Sequence, residues 1–277
     1  LKEGFFYKDF EEIARGRYIK KQFPTSNMTW TIRTEKKTVP KLKNPILLVG
    51  LPGIGNVGKV AVDFLIDDLK AKKFGEMFSP TLPNTVFVTE ENLVELPVIE
   101  IFIKKSKMGS DIVFIAGDVQ PTNEADSYDF CYALLDLFKK MDGKTIVTIG
   151  GIGLQHIPEK PKIYMTGNDH KLIETWRKGT KASTKIHGVV GPIMGAAGVL
   201  LALASEYDMK SVCLLAETLA HPFFVGIKGS EEVLKILAIK LKLNVNLKGL
   251  QKEIKQIEED FLRRAEQLSQ MQSGKKP

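Results

Sequence analysis

The sequence predicts an α/β fold: a three-layer sandwich in which a mixed sheet is flanked by helices, followed by a C-terminal helical extension. Three observations predict it. Short continuous apolar runs alternate with helical patterns along most of the chain, as strands buried on both faces and their crossover helices do. Between residues 85 and 116 the apolar runs follow one another with no helical pattern between them, which is the mark of antiparallel strands. A last apolar stripe at helical spacing runs from Leu250 to Met271.

The first core strand is Ile46 to Val49, a buried run by pattern. A glycine loop follows, and then Val57, Val60, Ala61, Phe64, Leu65 and Leu69 recur at helical spacing with Asp63, Asp67 and Asp68 opposite. Strands are expected at Thr85 to Val88, Leu93 to Leu96, Val98 to Lys104 and Asp111 to Ala116. Thr122 or Asn123 caps a helix whose stripe is Tyr128, Cys131, Leu134, Leu135 and Phe138. The strand Thr145 to Ile149 leads into a second glycine turn, GGIGLQ. A strand at Lys162 to Thr166, a helix around Leu172 to Trp176, a small-residue helix from Pro192 to Tyr207 and a strand at Ser211 to Glu217 complete the core. The expected organisation is a basic N-terminal arm (1–43), an α/β core (44–229), C-terminal helices (230–272) and a short tail (273–277).

Composition sets the class. A chain of 277 residues with 43% hydrophobic and 26% charged residues can bury a large core and is not a disordered polymer. Cys131 and Cys213 lie in apolar runs and form no CxxC, so both are expected in the core rather than in a disulfide or zinc site. The opening LKEGFFYKDFEEI lacks an apolar leader segment, and the uncharged stretch GVVGPIMGAAGVLLALAS opens on Gly and Pro, so a buried helix is expected there, with a cytoplasmic setting and no membrane partner.

The net charge of +7 is concentrated at the start. Residues 1–45 hold eleven Lys or Arg against five Asp or Glu, and the rest of the chain is close to neutral. Asp9, with Glu12 three residues on, marks a short helix there. Basic residues interleaved with Tyr18, Phe23 and Trp30 suit phosphates and stacked bases, so Arg15, Arg17, Lys20, Lys21, Arg33, Lys36 and Lys37 are candidate RNA contacts, with RNA or a ribosome as the partner. The alternative is a solvated arm whose aromatics anchor on the domain or on a neighbouring subunit.

The stretch ILLVGLPGIGNVGK carries two nucleotide motifs at once. Gly53, Gly55 and Gly58 spell G-x-G-x-x-G, and Gly53 to Lys59 spell G-x-x-x-x-G-K. With Asn56, these residues form a candidate anion site at a helix N-terminus, where unpaired N–H groups and Lys59 would meet a phosphate. Neither motif is completed. The Rossmann acid would have to be Glu76, in a polar, Gly-broken run. Val60 stands where a P-loop needs Ser or Thr for Mg²⁺, although Asp118 at the end of IVFIAGD imitates the acidic partner. The simpler expectation is that the glycines serve backbone geometry. A nucleotide- or nucleoside-binding enzyme stays open as an alternative.

LVGLPGIGNVGKVAVDFLIDDL, TIGGIG, HGVVGPIMGAAGVLLALASEYDM and LLAETLAHP, in this order and spacing, resemble the proteasome-assembling chaperone family of archaea and eukaryotes over roughly residues 44 to 265. The resemblance implies a fold similar to nucleoside phosphorylases without their catalytic residues, a homo-oligomer, and docking on proteasome α subunits. It implies no cofactor. Docking members can end in a hydrophobic residue, Tyr and one more residue, whereas this chain ends SGKKP, which leaves open a missing tail, another docking surface or another partner.

Catalytic groups are thinly spread. His156, His170, His187 and His221 have no metal spacing, and no metal site is expected. Glu217 and His221 at a strand end are the best acid–base candidates, but the simpler expectation is a surface pair devoid of chemistry, and no catalytic residue is assigned. The expected protein is a non-enzymatic scaffold that associates with itself through Leu250, Ile254, Ile257, Phe261 and Leu268 on the C-terminal stripe and binds a large complex; the alternative for the stripe is packing on its own domain.

Overall fold

A computed structural model describes residues 19–20, 30–34, 38–107, 109–221 and 224–247. Its centre is a nine-stranded sheet in the order β1-β2-β4-β7-β8-β3-β9-β11-β10. The strands are β1 (Ile19–Lys20), β2 (Thr31–Thr34), β3 (Ile46–Val49), β4 (Lys72–Phe78), β7 (Ile99–Lys104), β8 (Ile112–Gly117), β9 (Thr145–Leu154), β10 (Ile163–Gly167) and β11 (Lys210–Leu219). A separate ribbon pairs β5 (Phe87–Val88) with β6 (Val94–Glu95). β8, β3, β9 and β11 run parallel, and every other pairing is antiparallel. The mixed sheet and its antiparallel excursion are thus as the apolar runs predict.

Among the described residues five α-helices cover the sheet: α1 (Val57–Asp68), α2 (Glu124–Lys140), α3 (His170–Arg177), α4 (Gly195–Leu203) and α5 (Ile227–Leu241). Alternate strand residues feed two cores, because successive side chains point to opposite faces. Leu47, Val49, Val113 and Ile115 meet Phe130, Leu134 and Leu200 of α2 and α4 on one face. Leu48, Phe114, Val147 and Leu214 meet Leu65, Trp176 and Val233 of α1, α3 and α5 on the other. Asn123, one of the two expected caps, accepts from the Ala125 amide at 2.9 Å through its side chain and so opens α2. Both cysteines are buried and unpaired.

Several local expectations change. AKKFGEMFSP is not a polar break but strand β4, with a register irregularity between Lys73 and Gly75. A β-carbon on Gly75 would stand 2.3 Å from the Arg33 carbonyl oxygen, so the glycine permits a close strand approach. GGIGLQ is not a turn: Gly150, Gly151 and Gly153 continue β9 in register with β11. The two runs in 85–96 leave the main sheet and form the short ribbon, and Tyr128 of the α2 stripe is 49% exposed. The expected small-residue helix starts at Gly195 rather than Pro192, runs as α4 to Leu203 and continues as a 3-10 helix to Tyr207. Among the described residues no helix is long and apolar enough to cross a membrane.

Part of the basic arm belongs to the sheet. β1 pairs with β2, β2 pairs with β4, and Trp30 packs edge-on against Phe130 with ring centroids 5.0 Å apart. The Arg33 guanidinium lies over the Phe78 ring at 4.7 Å, and Lys20 lies on β1. Asp9, Arg15, Arg17, Lys21, Lys36 and Lys37 lie outside the described residues, as do Leu250, Ile254, Ile257, Phe261 and Leu268.

Candidate functional site

The parallel strands end where ligands collect in open α/β sheets. At the ends of β3 and β9 lies a cleft of about 430 Å³, floored by Val49, Ile149 and Gly150 and walled by the glycine loop and residues 189–195. Its size falls within the range of small-ligand pockets, ~300–1,000 Å³. Gln120 supplies the one polar side chain among the lining residues; no charged side chain lines it.

The loop owes its shape to close backbone packing. Gly55 has φ +62°, a left-handed conformation, and a β-carbon there would lie 2.5 Å from Thr218 Oγ1. A β-carbon on Gly58 would lie 2.7 Å from the Ile149 carbonyl oxygen, and one on Gly151 would lie 2.1 Å from that of Ile54. Gly53 differs, with nothing within 4 Å of its β-position and an extended backbone that any residue adopts. The Gly226 amide donates to the Gly55 carbonyl at 2.7 Å, tying the loop to the start of α5. Asn56 takes a left-handed conformation just before α1, and its side chain makes no cap.

Lys59 turns away from the role its motif suggests. Its ammonium is held by Asp63 at 2.8 Å and Asp118 at 2.9 Å. Burial pulls its pKa down, but hydrogen bonds to Asp118 and Asp63 outweigh burial and hold it above the ordinary value. At Asp63 burial prevails over the attraction of Lys59, and the carboxyl stands above its usual range. The acidic residue that imitates a metal-binding partner therefore neutralises the lysine meant for a phosphate. The Rossmann motif is incomplete in the structure as well, since β4 follows α1 but pairs antiparallel with β2 and β7, away from β3.

Glu217 is also occupied. One carboxylate oxygen accepts from the Lys162 amide at 3.0 Å and the other from the Tyr164 hydroxyl at 3.3 Å. Glu217 and His221 are absent from the lining of the glycine-walled cleft. Among the described residues no three His, Cys, Asp or Glu side chains gather as a metal site would require. Sequence reasoning found the loop but not the cleft's other wall, residues 189–195; the Gly-Pro-rich run there was its only signal.

The fold is shared with known proteins. The structure of Pyrococcus furiosus PbaB, described as an archaeal proteasome activator, superposes with a TM-score of 0.78 at 31% identity, covering 87% of this chain and all of that one. Pyrococcus furiosus PbaA, described as an archaeal homolog of proteasome-assembly chaperone, superposes with a TM-score of 0.68 at 24% identity, covering 85% and 93%. An uncharacterized protein of Methanocaldococcus jannaschii is 25% identical over 255 residues, covering 86% of this chain and 94% of its own. The PAC2 family pattern matches residues 47–263, from the first core strand past the last described helix, and the chain belongs to the PAC2 family, whose proteasome-assembly homologues its sequence resembles.

Proposed function

We propose that this chain is a non-enzymatic scaffold for proteasome assembly or activation and that it docks on proteasome α subunits. The observation that carries this is its 31% identity to the archaeal proteasome activator along the whole of that protein. The cleft geometry agrees, because a nucleotide enzyme would need a free cation near the loop and Lys59 is held by two carboxylates. Self-association would use the C-terminal stripe of Leu250, Ile254, Ile257, Phe261 and Leu268, which lies beyond the described residues.

The test is co-sedimentation of the purified full chain with an archaeal 20S proteasome and, separately, with rings of its α subunit. Binding to both supports the proposal, binding to the 20S particle alone removes the α-subunit assignment, and binding to neither overturns it. A calorimetric titration with ATP and with adenosine is expected to give no saturable heat; a stoichiometric heat would bring back the nucleotide enzyme.

A further inference from the structure

The large apolar side chains left in water are gathered in two places. Of eleven such residues among those described, Val86, Phe87, Val88, Leu93, Val94 and Leu96 belong to the β5–β6 ribbon, and Ile54, Val189 and Met194 line the cleft. Nine of eleven at two sites is a pattern of surfaces waiting to be covered rather than ordinary scatter.

The ribbon's two faces differ: one is wholly apolar, and the other sets Glu95 beside Phe87 and Leu93. Phe87 pairs with Glu95 and Val88 with Val94, and the same register sets Val86 opposite Leu96. Alternation therefore puts Val86, Val88, Val94 and Leu96 on one face, where they are 54%, 67%, 69% and 53% exposed. A lone two-stranded ribbon is marginal in water and needs such a face buried. Its charge is of one sign: between Thr81 and Val98 the charged residues are Glu90, Glu91 and Glu95, all acidic.

The cleft is its complement. It is concave and apolar, no carboxylate lines it, and α1 and α4 begin at its wall without side-chain caps, so the positive ends of two helix dipoles face it. From these features we infer that two copies of this chain join through the carboxyl end of the sheet, the ribbon of each entering the cleft of the other. Ribbon against ribbon would bring six glutamates together, whereas ribbon against cleft brings acid to a site without acid.

Topology supplies the geometry. Met77 of β4 pairs with Ile99 of β7, and Ile99 with Gly117 of β8, so the ribbon between β4 and β7 leaves the same end of the sheet as the cleft. The chain's own cleft lies beyond β7 and β8, about 10–15 Å across the sheet at normal strand spacing. No ribbon residue lines it. With ribbon and cleft on one face, a two-fold axis lets both pairs form at once, giving an isologous contact. This contact is distinct from the C-terminal stripe and does not depend on which complex the protein binds.

The test is cross-linking of two co-expressed, differently tagged full-length chains, one carrying Val88→Cys and the other Met194→Cys. Cys131 and Cys213 are fully buried and stay silent towards a short bis-maleimide. The mixed pair is expected to cross-link between chains, and neither variant alone. Cross-linking of Val88→Cys with itself would overturn the inference in favour of ribbon on ribbon. Cross-linking only within the Val88→Cys/Met194→Cys double variant would overturn it in favour of a lid, and no cross-link would overturn it outright. Val88→Asp with Val94→Asp, both at exposed positions, is expected to keep the circular dichroism spectrum and to reduce the light-scattering mass by at least half; an unchanged mass contradicts the contact.

Discussion

The hydroxyl of Thr218 on β11 stands where a side chain on Gly55 would have to go, 2.5 Å from the position of its β-carbon. Thr218 is itself buried, and its hydroxyl finds no hydrogen-bond partner among the described residues, so this contact is packing and not recognition. Gly55 thus has two reasons to be glycine: a backbone at φ +62° and no room.

Gly55→Ala is accordingly expected to destabilise the protein by more than ~1 kcal/mol, the usual cost of a β-carbon at positive φ, with the overlap added. Gly53→Ala, in open space with an extended backbone, should change stability by less than ~0.5 kcal/mol. Urea denaturation of the two variants checks the contrast; equal losses would mean that the motif's first glycine is also needed for shape.

Lys59→Met removes the shared partner of Asp63 and Asp118. Because the side chains are partly exposed, the expected loss is at most ~1 kcal/mol at neutral pH. The pH dependence has a defined sign. The folded-state pKa of Lys59 is raised, so its contribution is complete below the ordinary 10.5 and is lost as pH rises through the higher folded value. The variant should lack that alkaline component when denaturation midpoints are compared between pH 7 and 11.

The Tyr207 hydroxyl donates to Asp136 at 3.0 Å, and burial together with that bond pushes the phenol well above its ordinary 10.0. A raised folded pKa again means stability that is present below pH 10 and lost above it, because the unfolded chain gives up its proton first. Tyr207→Phe should cost about 1 kcal/mol at pH 7 and flatten the decline above pH 10. A decline as steep as in the parent protein would assign it to other groups.

Trp30→Ala should cost ~3–5 kcal/mol, the range for a large aromatic in a core, because Trp30 is 7% exposed against Phe130. Thermal unfolding measures it. A loss under ~1 kcal/mol would return this part of the arm to solvent. The same contact means that deleting residues 1–43 removes β2 and a core residue along with the basic charge, so such a deletion is no clean test of RNA binding.

Where local pattern and tertiary setting agree, the fold was legible in the sequence. Strand β3, the glycine loop and α1 could be read in order because a buried strand must be apolar on both faces and α1 keeps one polar side. Glycine misled in the opposite direction. In β4 and β9 it reads locally as a break, yet Gly75 and Gly151 sit inside strands where another backbone comes within reach of the missing side chain. Periodicity carries no trace of such approaches, since they are set by residues far along the chain. The ribbon was legible as strands but not as surface, because Val, Phe and Leu at period two look the same whether or not anything covers them. At the candidate site, the loop was visible and the neutralisation of Lys59 was only half visible: Asp63 is one helical turn away, but Asp118 arrives from β8 across the sheet.

The paired Lys59 also bears on how such a loop changes over time. Once two carboxylates hold the lysine, a substitution that adds a hydroxyl at Val60 would supply the P-loop's missing residue without supplying a free charge beside it. Nucleotide affinity would need several coordinated changes, while Gly55 and Gly58 would still be kept by the packing around them. A glycine signature can therefore persist in a lineage long after, or entirely without, the chemistry it is used to detect.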